Sequence, residues 1–159
     1  MLNEQAVADY RKAVTGKDGQ LFMTTPNGAN IFMGEIDTFQ IQVNVANVGW
    51  QPVGSILEFA IGSGATVTLS FTETVIRDDF TLKPFLEGLK AGIFPLFAFQ
   101  GKLRRRPDAP QPGLAERIVL RNCTPDGAID LMSLQPGEIV KRAWNFRVND
   151  IPEALELFI

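Results

Sequence analysis

The stretch Thr38-Phe39-Gln40-Ile41-Gln42-Val43-Asn44-Val45 and its counterpart Gly64-Ala65-Thr66-Val67-Thr68-Leu69-Ser70-Phe71-Thr72 decide the reading of this chain. In the first, Phe39, Ile41, Val43 and Val45 alternate with Thr38, Gln40, Gln42 and Asn44, the period of two that gives a strand one apolar and one polar face. In the second, Val67, Leu69 and Phe71, continued by Glu73, alternate with Thr66, Thr68, Ser70, Thr72 and Thr74. Such a threonine ladder has high β-propensity and can share hydroxyl hydrogen bonds across strands. From residue 38 to residue 72 the only charged side chain is Glu58. A strand left at a sheet edge normally carries a lysine, a proline, a bulge or an inward charge, because its unpaired backbone groups recruit other strands. The segment therefore reads as one that is covered, and the cover it implies is a second copy of the same chain.

Working outward, Val48-Gly49-Trp50-Gln51-Pro52-Val53-Gly54 interrupts the alternation. Leu57, Phe59 and Ile61 resume the pattern before Gly62-Ser63-Gly64, which reads as a hairpin turn. Upstream, residues 1–15 form an arm or short amphipathic helix with Leu2, Ala6, Val7 and Tyr10 on one face. Gly16-Lys17-Asp18-Gly19, a strand over 20–24, the turn Pro26-Asn27-Gly28 and a strand over 30–33 then make an opening hairpin.

Downstream, Leu82, Phe85, Leu86 and Leu89 give the i, i+3, i+4, i+7 stripe of a helix that packs on a sheet. Asp79 or Thr81 is its candidate cap, and Gly92 lies just past its end. Strands are predicted over 93–100, 117–122, 128–134 and 138–148, with the Pro-rich basic segment 102–115 as a loop. The last strand alternates Val140, Arg142, Trp144, Phe146 and Val148 with Ile139, Lys141, Ala143, Asn145 and Arg147. The fold class expected is mainly β with one α-helix, an antiparallel β-sandwich or open barrel with the helix covering one side.

Size and composition fit a single domain over residues 1–159: apolar residues make up 45% and charged residues 21%, which excludes a disordered chain. The net charge of −3 gives no global attraction for nucleic acid. Residues 1–14 lack the apolar run of a signal peptide, and no segment approaches the roughly 20 apolar residues of a membrane span, so neither a cleavable signal nor a membrane anchor is expected.

The chemistry of catalysis is missing. The chain has no histidine, which removes Ser-His-Asp and Cys-His arrangements and the usual zinc spacings. Asp78-Asp79 reads as helix-entry charge, and Gly62-Ser63-Gly64 lacks the Gly-Lys-Ser/Thr that would make it a phosphate loop. Cys123 reads as a small packing residue, and Trp50 and Trp144 as core or subunit contacts. The basic run Lys102, Arg104, Arg105 and Arg106 has no interleaved aromatics and reads as a solvated loop or protein-docking site. No catalytic, metal-binding or cofactor-binding residue is expected, and the chain reads as a non-enzyme.

The chain resembles the tail tube proteins of contractile-tailed phages and related phage-tail-like particles. The resemblance covers nearly everything after residue 15. It is carried by Gly16-Lys17-Asp18-Gly19-Gln20-Leu21-Phe22, Ile36-Asp37-Thr38-Phe39, the ladder from Gly64 to Phe71, Glu116-Arg117-Ile118-Val119-Leu120, and Phe146-Arg147-Val148-Asn149-Asp150-Ile151-Pro152-Glu153-Ala154-Leu155. It implies six-membered rings in which two hairpins per subunit join into a continuous β-barrel around a lumen. The rings stack into a tube, driven by a sheath, through which DNA passes as non-specific cargo. Sheath, tape-measure and baseplate proteins are the implied partners, and the virion tail, assembled in the host cytoplasm, is the implied location.

On that resemblance Gln40, Gln42, Asn44, Thr66, Thr68, Ser70 and Thr72 are candidate lumen residues, backed by packing from Phe39, Ile41, Val43, Leu69 and Phe71. Val48, Trp50, Gln51, Val53 and Leu57 belong to the excursion over 46–61, which the resemblance makes a long loop reaching a neighbouring ring. Lys102, Arg104, Arg105 and Arg106 face outward, toward an acidic sheath or chaperone surface. Residues 1–15 and 102–114 depart from the more compact family pattern. Two other readings share parts of this evidence: a monomeric β-barrel holding a small apolar ligand among Trp50, Phe59 and the 93–99 strand, and a secretion-system tube of the same architecture.

Overall fold

The computed structural model describes residues 19–24, 30–34, 36–75, 82–108, 113, 115–132 and 135–157. In chain order the elements are β1 (Gly19–Thr24), β2 (Asn30–Phe32), β3 (Ile36–Trp50), β4 (Phe59–Thr74), α1 (Leu82–Lys90), β5 (Phe97–Arg104), β6 (Ala115–Pro125), β7 (Lys141–Val148) and β8 (Glu153–Glu156). The fold class is the expected one, mainly antiparallel β with one described helix, and the sheet is not closed into a barrel. The expected N-terminal arm, the Pro26-Asn27-Gly28 turn and the caps Asp79 and Thr81 lie outside the described residues.

Two compact units share the chain: residues 1–34, 97–121 and 152–159 form one, residues 35–96 and 122–151 the other. In the first, β1 pairs with β2 in the predicted hairpin and with β5 on its other side. Leu21, Met23, Met33, Phe97, Phe99 and Leu120 are buried, and Phe97 stacks along Phe99 with ring centroids 6.2 Å apart. The short strand β8, which no sequence pattern announced, pairs with β6 and is exposed along its length. It is tied there by Arg121–Glu153 at 3.1 Å and Arg117–Glu156 at 3.6 Å.

In the second unit the strand order is β6-β7-β4-β3. Its core is the apolar face of these strands, with Leu69, Phe71, Trp144, Phe146 and Val148 buried. Directly opposed residues of antiparallel strands share a face, so the register sets Phe39, Phe71 and Trp144 in one row and Ile41, Leu69 and Phe146 in the next. The third row is Val43, Val67, Val148 and Cys123. Phe71, Phe146 and Trp144 stack in sequence at 5.7 and 5.9 Å.

Helix α1 covers this core through Leu82, which is buried, and Phe85, which meets Trp144 edge-on at 5.8 Å. Pro84 is tolerated because first-turn N–H groups have no intrahelical partner. The helix ends in a Schellman cap: Gly92 adopts φ +76°, its N–H donates to Leu89 O at 3.0 Å, and Ile93 N–H reaches back to Gly88 O at 2.9 Å. The expected stripe is shorter than predicted, since Leu89 is exposed.

Several boundaries move: β6 runs over Ala115–Pro125 where 117–122 was expected, and β7 begins at Lys141 instead of residue 138. The strand expected from residue 93 begins at Phe97, leaving Ile93, Phe94 and Leu96 exposed, and it runs on through Arg104, into the segment read as a loop. Residues 128–132 are irregular, not strand. Gly62-Ser63-Gly64 is not a turn but part of β4, where Gly64 opposes Ala46 and Gly62 opposes Asn47. Ser63 is the extra residue of a β-bulge, and its Oγ donates to Ala46 O at 3.1 Å. Local turn propensity lost here to the register imposed by the long strands on either side.

Candidate assembly surface

The register of β3, β4 and β7 gathers all seven candidate lumen residues on one face. Its rows are Thr38-Thr72-Ala143, Gln40-Ser70-Asn145 and Gln42-Thr68-Arg147, with Asn44 opposite Thr66 beyond them. Thr124 of β6 opposes Arg147 and extends the last row. This face lies on the reverse of the Phe71-Trp144-Phe146 core, so strand alternation ties the polar surface rigidly to the packing beneath it.

The sequence reading missed β7's share of this face. Lys141, Ala143, Asn145 and Arg147 alternate with buried Arg142, Trp144, Phe146 and Val148, and that alternation was visible. That β7 lies beside β4, not elsewhere, was not. The face is therefore not uncharged, as β3 and β4 alone suggest. Arg147 Nε lies 4.0 Å from Asp126 Oδ2, and Lys141 Nζ 3.3 Å from Asp37 Oδ2.

Half of the excursion expected over 46–61 is strand. Pairing continues from Ala46 to Trp50 and from Phe59 to Gly64, where Trp50 opposes Phe59 with rings 6.1 Å apart. Only 51–58 form the tip. Ser55 N–H donates to Pro52 O at 3.1 Å and Gly54 has φ +87°, the positive φ that a type II turn requires at its third residue. Gln51 Nε2 donates to Ser55 O at 2.9 Å. Of the candidate inter-ring residues, Val48, Trp50, Val53 and Leu57 are large exposed hydrophobics, joined by Ile56.

The packing expected of Val43 is absent within one chain, where it is 53% exposed. Every residue over 42–50 and 59–66 is exposed. The ribbon thus extends beyond its own core with both faces in water. Trp50 and Phe59, 56% and 44% exposed, are too open to line the enclosed apolar pocket that a ligand-binding barrel requires.

Period-two alternation splits the basic run. Lys102 is half-buried opposite Gln20 and Arg104 is exposed, but Arg105 is 6% exposed and unavailable to an outer partner. Arg106 pairs with Asp108 at 3.8 Å. Cys123 is fully buried, and burial, with the nearby Asp150 carboxylate, pushes its thiol up to about 12. It is an inert packing residue. Among the described residues no group of His, Cys, Asp and Glu side chains could hold a metal ion, and no helix is long and apolar enough to cross a membrane.

The family described as phage tail tube protein matches residues 6–156. The chain belongs to that family. No curated protein sequence matches it. The tail tube fold is seen again in solved structures at low identity. The anti-feeding prophage tube-terminating cap matches with a TM-score of 0.67 at 8% identity, covering 99% of this chain and 100% of that one. A sheath–tube complex of an extracellular contractile injection system in its extended state gives 0.62 at 9%, covering 90% and 93%. The six-fold symmetrised baseplate of the anti-feeding prophage gives 0.58 at 11%, covering 87% and 91%. As a tail tube protein the chain has a structural role.

Proposed function

We propose that the chain is the repeating subunit of a contractile tail's inner tube, closing into six-membered rings that stack and conduct DNA. The observation that carries this is the exposed ribbon over 42–50 and 59–66. A two-stranded ribbon has at best marginal stability alone in water, and β3 pairs only with β4 among the described residues. A head-to-tail contact between identical subunits closes into a ring when the rotation between them permits, and closure removes such edges. Pairing of ribbons around the ring buries the apolar faces of Val43 and Val45 and turns the Gln40, Gln42, Asn44, Thr66, Thr68, Ser70 and Thr72 face to the lumen. The tip, with Trp50, Val53, Ile56 and Leu57, then reaches the adjacent ring.

The baseplate structure that contains a chain of similar fold is six-fold symmetrised, which supports the number six. The protein works by assembly, without catalysis or cofactor, alongside sheath, tape-measure and baseplate proteins, in the tail of the particle. Lys102 and Arg104 are the members of the basic run left to meet an outer partner. Negative-stain electron microscopy of the purified chain, alone and with sheath protein, tests the reading: rings or tubes of six-fold symmetry are expected. A chain that stays monomeric at high concentration with sheath and baseplate present would overturn it.

A further inference from the structure

Among the described residues the polar face carries two cations, and each is held against a carboxylate supplied from outside the regular alternation. Lys141 projects on this face opposite Thr74, and its Nζ lies 3.3 Å from Asp37 Oδ2. Regular alternation would place Asp37 with Phe39, on the core side. The register shift between Ile36 and Thr38 makes Asp37 the extra residue of a bulge. Bulges re-aim side chains, and here Asp37 turns to the polar side, where Thr74 Oγ1 also donates to it at 3.1 Å. Arg147 projects beside Thr68 and Thr124. Its partner, Asp126, follows the end of β6 and is fixed by its own N–H donating to Asn145 O at 2.8 Å, so that Oδ2 sits 4.0 Å from Arg147 Nε.

We infer that Asp37 and Asp126 are charge-masking residues: they cancel Lys141 and Arg147 so that the face offers a passing polyanion such as duplex DNA no free cation to bind. The inference rests on the reading of this face as luminal. The side chains are well exposed, at 54% and 37% for the Lys141 pair and 54% and 55% for the Arg147 pair. Pairs this exposed add little to stability, so stability does not account for a bulge that supplies one partner. Masking does. Charges within 4 Å of each other are far closer than the ~8 Å Debye length at physiological salt, so a phosphate approaching from the lumen meets dipoles instead of net positive charge. Without the two carboxylates each subunit would present two cations to DNA, repeated around each ring and along the tube. Each phosphate contact releases about one counterion and strengthens binding in a salt-dependent way, so a repeated array would hold the cargo it has to conduct.

The test compares assembled native rings or tubes with Asp37→Asn, Asp126→Asn and the double variant, using a short fluorescent duplex DNA at low ionic strength. Native assemblies are expected to bind it weakly. The double variant is expected to bind at least about tenfold tighter, with a steeper salt dependence, by about one unit of log–log slope for each freed cation that contacts a phosphate. Adding Lys141→Gln and Arg147→Gln to the double variant restores the native behaviour. A control, Glu153→Gln, frees Arg121 on the β6–β8 surface and leaves luminal binding unchanged. Equal affinity of native and double-variant assemblies would overturn the inference. If a variant fails to assemble, the same titration on the folded single chain decides it by the same criterion. Nuclease protection separates the two claims: tighter binding to DNA that stays nuclease-accessible supports masking and overturns the luminal reading, whereas protected DNA supports both.

Discussion

Trp144 Nε1 donates to Glu73 Oε1 at 2.8 Å inside the core of the second unit, and the same oxygen lies 3.5 Å from Arg142 Nη1. The three residues lie on the face of β4 and β7 that carries Phe71 and Phe146, so an ion pair closes the end of an aromatic stack. Arg142 also donates from Nη2 to Leu131 O at 2.9 Å. One buried guanidinium thereby joins the strands to the irregular segment over 128–132.

Replacing Glu73 by leucine strips both Trp144 and Arg142 of this carboxylate in a site where each residue of the pair is only 6% exposed. Breaking a buried pair from one side costs about 3–5 kcal/mol because the other charge stays behind. Urea unfolding of the isolated chain should show a loss of that order for Glu73→Leu. The joint change Glu73→Leu with Arg142→Met should recover a substantial part of it, since an apolar pair leaves no buried charge.

Cys123 supplies a stability change with a defined pH window. Burial, with the Asp150 carboxylate, pushes its thiol up from the ordinary 9.0 to about 12 in the folded chain. Between those values the unfolded state has lost a proton that the folded state keeps, so stability falls as pH rises. The contribution is fully present below pH 9 and is lost on the way to about 12. Unfolding curves of native and Cys123→Ala chains should diverge in slope over this interval, the variant being flatter. The folded native thiol should also resist alkylation at pH 8 until denaturant is added.

The alternations were legible in the sequence wherever one face meets a core. Leu69, Phe71, Trp144 and Phe146 are buried and Thr68, Ser70 and Asn145 turn the other way, as period two requires. What no local pattern states is adjacency. Nothing in residues 141–148 says that they lie beside β4, so Arg147 and Lys141 were absent from the face expected from β3 and β4 alone. The same reason explains Gly62-Ser63-Gly64: glycine and serine signal a turn when read locally, but opposite Ala46 and Asn47 they are a bulge in a continuous ladder. Asp37 reached the polar face through a second bulge, a register property invisible until both strands are laid together. Strand β8, with its short, exposed Glu-Ala-Leu-Glu, has no apolar periodicity to reveal it.

Gly88 gives a case where packing and propensity oppose each other. Alanine is favoured over glycine inside a helix by about 1 kcal/mol. Here, however, a Cβ would stand 2.9 Å from Ile93 O and 2.9 Å from Pro95 Cδ, where the chain folds back over the helix end. Gly88→Ala should therefore destabilise, by on the order of 1–3 kcal/mol as overpacking does. Differential scanning calorimetry of the variant should show a lower Tm. A higher Tm would mean that the helix end relaxes freely.

The hairpin tip separates ring closure from ring stacking. Val53 and Ile56 are fully exposed and make no core contact in their own chain, so Val53→Ser with Ile56→Ser should change unfolding free energy by no more than about 0.5 kcal/mol per site. If the tip reaches the adjacent ring, the same change removes apolar area that becomes buried only on stacking, at about 25 cal/mol per Å². The expected result is a variant that melts like the native chain and forms isolated rings, but fails to elongate into tubes. Sedimentation velocity and electron microscopy read the two steps apart. Tubes of normal length from this variant would remove the tip from the stacking contact. Loss of rings as well as tubes would place it in ring closure instead, because only a contact within the ring can be needed before stacking begins.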